Sequence, residues 1–299
     1  MRDFFSKKWF LFFLIFLLSV VTSCGNENSS SNNIPPDKTD KISIIKDGEA
    51  DFSKKDDLGD NKFYTAESKK LFTISKYENL VHSQGACSDG TYVYGIAKNA
   101  EDTEAVISKY LLADGSFVAR SEVMKLGHGN DMTFDSKNNR LVVAHGQTEG
   151  KILTLVDADT LAFIEDINIE AGAGAISYNA QRDCYVISQG GKTLHFLNSN
   201  FELINSLTRS DSFGYTAQGM GSDNKYIYFP MSGYNDNILV VYDWEGNYVT
   251  KVVIPVKMES ESMFWVNGKY YIAYNSNGMP ICENDFIIGD TGNKDNDPV

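Results

Sequence analysis

The stretch NDMTFDSKNNRLVVA, residues 130–144, decides the fold. Polar residues open it, a short apolar run follows, DSKNN turns the chain, and a β-branched run ends it. Four more copies of this phrase stand in the sequence: QGACSDGTYVYGI (84–96), GAISYNAQRDCYVIS (174–188), QGMGSDNKYIYFP (218–230) and ESMFWVNGKYYIA (261–273). Their second runs begin at Tyr92, Leu141, Tyr185, Tyr226 and Tyr270, at steps of 49, 44, 41 and 44 residues. A period of roughly 40–50 residues built from short strands is the signature of propeller blades.

Each phrase runs on into a second hairpin. Residues 105–112 lead through Asp114-Gly115 into 116–120, and the same grammar recurs in 152–157 with 161–164, 193–198 with 201–204, and 238–243 with 248–253. Strand, turn rich in Gly, Asp or Asn, and strand again make four strands per repeat. The fifth repeat is short by one strand, while residues 70–74 precede the first repeat without a partner. The expectation is an all-β, five-bladed propeller of four-stranded antiparallel blades, its ring closed by an N-terminal strand in the last blade. That arrangement hides both sheet edges.

Ahead of the repeats, Arg2, Lys7 and Lys8 precede a nearly all-apolar run of 13 residues, 9–21. Spanning a bilayer takes ~20 apolar residues, so the run reads as an export signal. It ends in Val21-Thr22-Ser23-Cys24, which resembles the bacterial lipobox. In lipobox lipoproteins the cysteine becomes the first mature residue and carries the lipid, palmitate included. The resemblance implies a chain held by Cys24 on the cell membrane or outer membrane, extracytoplasmic and not spanning it. The domains expected are a signal peptide (1–23), a flexible polar tether (24–61), the propeller (62–290) and a disordered tail (291–299). The tether is rich in Asn, Ser, Asp and Lys, a composition that buries too little apolar surface to fold; Ile42, Ile44 and Ile45 offer at most one marginal strand.

The chain carries a net charge of −13, and its signal is net basic, so the remainder is more acidic still. A body this acidic, without a basic run, argues against nucleic acid and against anionic membrane surfaces as partners. Without Cys24 the cysteines are Cys87, Cys184 and Cys282. Cys87 and Cys184 sit in strand runs and read as small buried hydrophobes; a Cys87–Cys282 bridge is the alternative. No His/Cys cluster suggests zinc. No cofactor is expected, an axial calcium ion being a minor alternative, and the ring is expected to act as a monomer.

In a propeller the innermost strands start beside the axis, so the heads of the repeats converge. They are Gln84, Asn130, Gly174, Gln218 and Glu261, with His82, His128, Tyr215 and Glu259 just upstream and Asp131 following Asn130. Loops leaving the second strands bring Lys98, His145, Gln189, Tyr234 and Asn275 to the same face. Convergent polar groups at such a mouth are where ligands sit; Gln84 and Gln218 serve equally well as bonds to neighbouring backbone. Glu259 and Glu261 are read as facing opposite sides of their strand, with Glu261 towards the axis. Phe213 and Tyr215 form either an aromatic wall or a packed loop.

Ser83-Gln84-Gly85, Gln218-Gly219-Met220 and residues 261–268 resemble the repeats of plant-type glutaminyl cyclases, five-bladed propellers that close N-terminal glutamine to pyroglutamate. Two heads depart from that family: Asn130 replaces an acid and Ala173-Gly174 a tryptophan. Gly127-His128-Gly129-Asn130-Asp131-Met132, the Gln-Gly openings and Glu259-Ser260-Glu261-Ser262 are also similar to the propellers of helveticin J-type bacteriocins and of some teichoic-acid-related and phage receptor-binding proteins. That likeness implies binding at the cell envelope.

The leading expectation is therefore a lipid-anchored binder of an envelope glycan or peptide, with His82, Gln84, His128, Asn130, Asp131, Tyr215, Gln218 and Glu261 at the site. The alternative is a propeller hydrolase, lyase or cyclase working through Asp131 and Glu261. An enzyme requires these two carboxyls to face each other across a solvent-filled pocket. A binder requires an exposed aromatic ring beside the amides, and a purely structural module requires a plugged tunnel.

Overall fold

The first hairpin of a repeat is closed by an Asp or Asn side chain, which is why these residues recur in the phrase. Asp89 accepts the N–H groups of Thr91 and Tyr92 at 2.7 Å each, and Asp223 those of Lys225 and Tyr226 at the same distance. Asp135 does so for Lys137 and Asn138, and Asn179 for Arg182. Such a side chain mimics a backbone turn and starts the return strand.

The computed structural model describes residues 42–53, 62–190, 192–208 and 213–290. A small hairpin, β1 (Ile45–Lys46) and β2 (Glu49–Ala50), comes first, then the long strand β3 (Lys62–Ile74). Four four-stranded sheets follow in chain order. They are β4 (His82–Ser88), β5 (Tyr92–Lys98), β6 (Ala105–Leu111) and β7 (Phe117–Arg120); β8 (Asp131–Asp135), β9 (Arg140–Ala144), β10 (Ile152–Asp157) and β11 (Phe163–Asn168); and β12 (Ala175–Asn179), β13 (Cys184–Ser188), β14 (Thr193–Asn198) and β15 (Leu203–Thr208). The fourth has a split first strand, β16 (Thr216–Ala217) and β17 (Gly221–Ser222), then β18 (Tyr226–Ser232), β19 (Asn237–Asp243) and β20 (Tyr248–Ile254). Three more strands, β21 (Glu259–Val266), β22 (Lys269–Asn275) and β23 (Met279–Asp290), form the last meander.

β3 lies antiparallel along β23, from Ile74 opposite Met279 to Lys62 opposite Asp290, and so supplies a fourth strand to the last sheet. It also touches the edge of the fourth sheet in parallel, through Tyr64 with Val252 and Thr65 with Val253. The result is a propeller-like, all-β fold of antiparallel meanders.

The sheets pack face to face. Tyr94, Ile96 and Ile107 of the first meet Met132, Leu141 and Val143 of the second. Leu153 and Leu155 meet Ile176, Tyr185 and Ile187; Val186 and Leu194 meet Ile227, Phe229 and Val240; Tyr228 and Leu239 meet Met263, Ile272 and Phe286. Ile74, Tyr271 and Ile281 of the last sheet then pack on Ala86, Val93 and Tyr110 of the first. Full burial of such a side chain contributes ~1.5–3 kcal/mol, so these interfaces hold the sheets together.

One expectation needs correction, and one alternative falls. The tether was expected to extend to residue 61, yet Ile44, Ala50 and Phe52 are buried in the core between the fourth and last sheets. Phe52 stands 5.1 Å from Tyr64 and 5.3 Å from Tyr226, ring centre to ring centre, and Ala50 N–H donates to the Tyr270 hydroxyl at 2.7 Å. The aromatic pocket that receives the segment exists only once these sheets have assembled. The Cys87–Cys282 bridge is also absent, because Cys87 belongs to the core between the first and second sheets and Cys282 to that between the fourth and last. Residues 1–41, with Cys24 and the expected signal, and the expected tail at 291–299 lie outside the described residues.

Candidate functional site

The first strands converge as the repeat alignment requires. β4 touches β8 and β21, β8 touches β12, and β17 touches both β12 and β21. At their meeting point lies Asp131, fully buried. Its Oδ1 accepts the Ser262 hydroxyl at 2.5 Å, and its Oδ2 accepts the N–H groups of Ile176 and Met220, both at 2.9 Å. Ser262 in turn accepts the Ala86 N–H at 3.0 Å. One carboxyl thus ties the second sheet to the third, fourth and last, and through Ser262 to the first.

This convergence explains why the ladders break there. β4 shifts register between Ser83 and Ala86, β21 between Ser260 and Ser262, and β16 is severed from β17 around Gly219. N–H groups that would pair within a sheet bond across the centre instead, which satisfies them at the cost of regular strand geometry. Glycine is required at two of these points. A Cβ on Gly85 would stand 2.6 Å from the Asp131 backbone, and one on Gly219 2.3 Å from the Glu261 carbonyl oxygen.

Burial pushes the Asp131 carboxyl up to about 8, against the downward pull of Ser262 and the backbone N–H groups. Burial, with Glu259 second, likewise pushes Glu261 well above the ordinary carboxylate range. The expected pair facing across a solvent-filled pocket is not present: Asp131 is enclosed and both its oxygens are engaged. The expected opposition of Glu259 and Glu261 also fails: residues two apart on a strand share a face, and although the bulge in β21 leaves Glu261 without a partner in the ladder, the two carboxyls stay on one side of it. Asn275 serves both carboxyls, its Nδ2 lying 3.5 Å from Glu259 Oε2. Glu259 is exposed and Glu261 only 2% exposed.

Other predicted residues scatter around this centre. Gln84 is buried on the β4 bulge, and His82 is exposed at the start of β4, opposite Lys98. His128 Nδ1 lies 2.9 Å from Asp102 Oδ2, and Asp102 also binds the buried Lys98. Burial raises the Asp102 carboxyl, but Lys98 and His128 outweigh it and hold it below its usual value. His145 is buried between Glu149 and Thr154, in a supporting role. Tyr215 donates to Asp236 at 3.0 Å, and Phe213 stacks near Tyr248 at 5.6 Å, so the aromatic wall is a packed loop. Tyr234 alone of these aromatics is fully exposed, at 100%.

Asn130 and Gln218 do come together. Asn130 Nδ2 donates to the carbonyls of Gly174 and Gln218 at 2.5 and 3.3 Å, and Gln218 Nε2 donates to Glu259 at 2.5 Å. Beside them a recess of about 260 Å³ opens between the third and fourth sheets. Asn130, Gly174, Ser188 and Phe229 line it, with Gln147 and Gln189 on one side and Thr216 and Gln218 on the other. Among the described residues no charged side chain lines it. Ser188, Gln147 and Thr216 belong to no repeat head and stand out in no motif. The one trace of the recess in the sequence is Ala171-Gly172-Ala173-Gly174-Ala175, a run of small residues where other repeats begin with a bulky amide or acid. A second cavity of about 60 Å³, lined in part by Cys87, Thr133, Ser177 and Trp265, lies further along the first strands. Among the described residues no group of three or more His, Cys, Asp or Glu side chains is placed to hold a metal ion.

No protein-family model matches the sequence, and no curated protein matches it. Among solved structures, the hydrazine synthase of Kuenenia stuttgartiensis is similar over 67% of this chain and 57% of that chain, at 13% identity and a TM-score of 0.41. The chain therefore spans less than two thirds of that neighbour.

Proposed function

We propose that the chain is a lipid-anchored, extracytoplasmic binding protein: a closed five-bladed β-propeller that holds an envelope glycan or peptide on the face formed by the heads of its repeats. The observation that carries this reading is the uncharged, amide-lined recess beside Asn130 and Gln218. The carboxyl that an enzyme would use there, Asp131, is consumed in holding the sheets together. Closure of the ring is supported by β3 in the last sheet and by the packing of that sheet on the first. The lipid anchor rests on Cys24 and the run before it.

Binding of the purified chain to arrays of cell-wall glycans and peptides tests the function, with Gln218→Ala as the site variant. A specific ligand weakened by that change is expected; ligands indifferent to it would move the site off this face. Labelling of growing cells with a palmitate analogue tests the anchor, and label retained after Cys24→Ser would refute it.

A further inference from the structure

The Ser188 hydroxyl is buried, its residue 1% exposed, and among the described residues no group within hydrogen-bond reach satisfies it. A buried hydroxyl without a partner is costly and uncommon in native proteins. This one lines the recess between the third and fourth sheets, at the end of β13 and opposite Ala175.

Gly174 lies next to it and is the exception among the five repeat heads, the others being Gln84, Asn130, Gln218 and Glu261. Its backbone does not demand glycine. Its φ lies outside the left-handed region, and a Cβ there would meet nothing nearer than the Ser188 carbonyl oxygen at 3.7 Å. What the missing side chain provides is room. The recess thus combines space at the one empty head with a hydroxyl that lacks a partner.

We propose that this recess seats one uncharged, hydroxyl-bearing saccharide unit, with the Ser188 hydroxyl bonding a sugar hydroxyl or acetamido group. The proposal rests on the binding reading given above and narrows it. Neutrality follows from the lining, which among the described residues offers amides, hydroxyls and backbone but no charged side chain to pair with an ion. The acidic chain, net −13, further disfavours an anion. Size points the same way: about 260 Å³ is just under the ~300 Å³ at which pockets for drug-sized ligands begin, which suits one ring better than an extended peptide. Thr216, on one wall, pairs with Ser232, and the loop that follows carries the fully exposed Tyr234. Its flat ring is free to cover the apolar face of a neighbouring sugar.

Calorimetric titration of the purified chain tests this with four probes: cellotetraose and tetra-N-acetylchitotetraose as neutral saccharides, tetragalacturonate as an acidic one, and tetra-alanine as a peptide. A neutral saccharide is expected to bind. Ser188→Ala should weaken it roughly tenfold, the equivalent of one hydrogen bond, without lowering the melting temperature, since the hydroxyl has no protein partner to lose. Gly174→Leu should abolish binding by filling the space. Saccharide binding that ignores both variants but falls in Glu259→Ala would overturn the recess and leave the binding face standing. Binding of tetra-alanine or tetragalacturonate alone, lost in both variants, would overturn the ligand class and keep the recess. Silence from all four probes overturns the proposal, and the broader reading falls with it only if the glycan and peptide arrays are also blank.

Discussion

The centre of the molecule and the recess beside it are built from similar residues used in opposite ways. At the centre, Asp131 meets three donors and Gly85 and Gly219 leave no room for a Cβ, so backbone and carboxyl interlock. A short step away, Gly174 has room to spare and Ser188 has no protein partner. Satisfied polar groups in tight contact hold sheets together, whereas an unsatisfied one beside empty space is available to a ligand. Polar convergence on an axis is therefore not by itself a site; what matters is whether the donors and acceptors are already used.

Removing the Asp131 carboxyl should break the comparison most strongly. Asp131→Ala leaves the Ile176 and Met220 N–H groups and the Ser262 hydroxyl buried without an acceptor, and is expected to cost about 4 kcal/mol or more. Urea unfolding measures this, and a loss under ~1 kcal/mol would mean the centre is no pin. Next come the glycines. Gly219→Ala should destabilise by about 2 kcal/mol through overpacking, while Gly174→Ala, with its Cβ in open contact, should change stability by no more than ~0.5–1 kcal/mol and in the stabilising direction. Equal losses at both positions would erase the distinction between the two regions.

A pH-dependent change sharpens it further. Burial holds the folded pKa of Glu261 above its unfolded value of 4.5, so its contribution to stability is complete below that pH and is lost as pH rises through the folded value. Glu261→Gln should therefore match the parent near pH 4.5 and become progressively more stable than it towards pH 8. Parallel stability curves would show that Glu261 is not buried in the charged form. The smallest effect is expected at Ser188→Ala, where thermal melting should stay level or rise slightly, since the deletion loses no protein contact and only relieves the cost of burying the hydroxyl. A clear fall would mean the hydroxyl is bonded within the protein and not reserved for a ligand.

The strands were legible because turn and period are local properties. Asp89, Asp135, Asn179 and Asp223 mark the first turn in four of the five repeats, and β-branched and aromatic runs alternate between them. The roles of the polar heads were not legible. Asp131 and Glu261 look like reactive carboxyls in sequence, yet one is spent on donors from other sheets and the other is buried on a bulge that no local pattern announces. The docking of residues 42–53 was hidden for a similar reason, because Phe52 is an isolated aromatic until Tyr64, Tyr226 and Phe286 are brought around it.

The repeating hairpins, the spare strand ahead of them and the small-residue run at the third head can all be read along the chain, since each depends on adjacent residues. Which polar groups are consumed and which are left over is set by the assembled sheets. That outcome depends on donors contributed by segments some 45 to 130 residues apart, and no local pattern records where those donors will point.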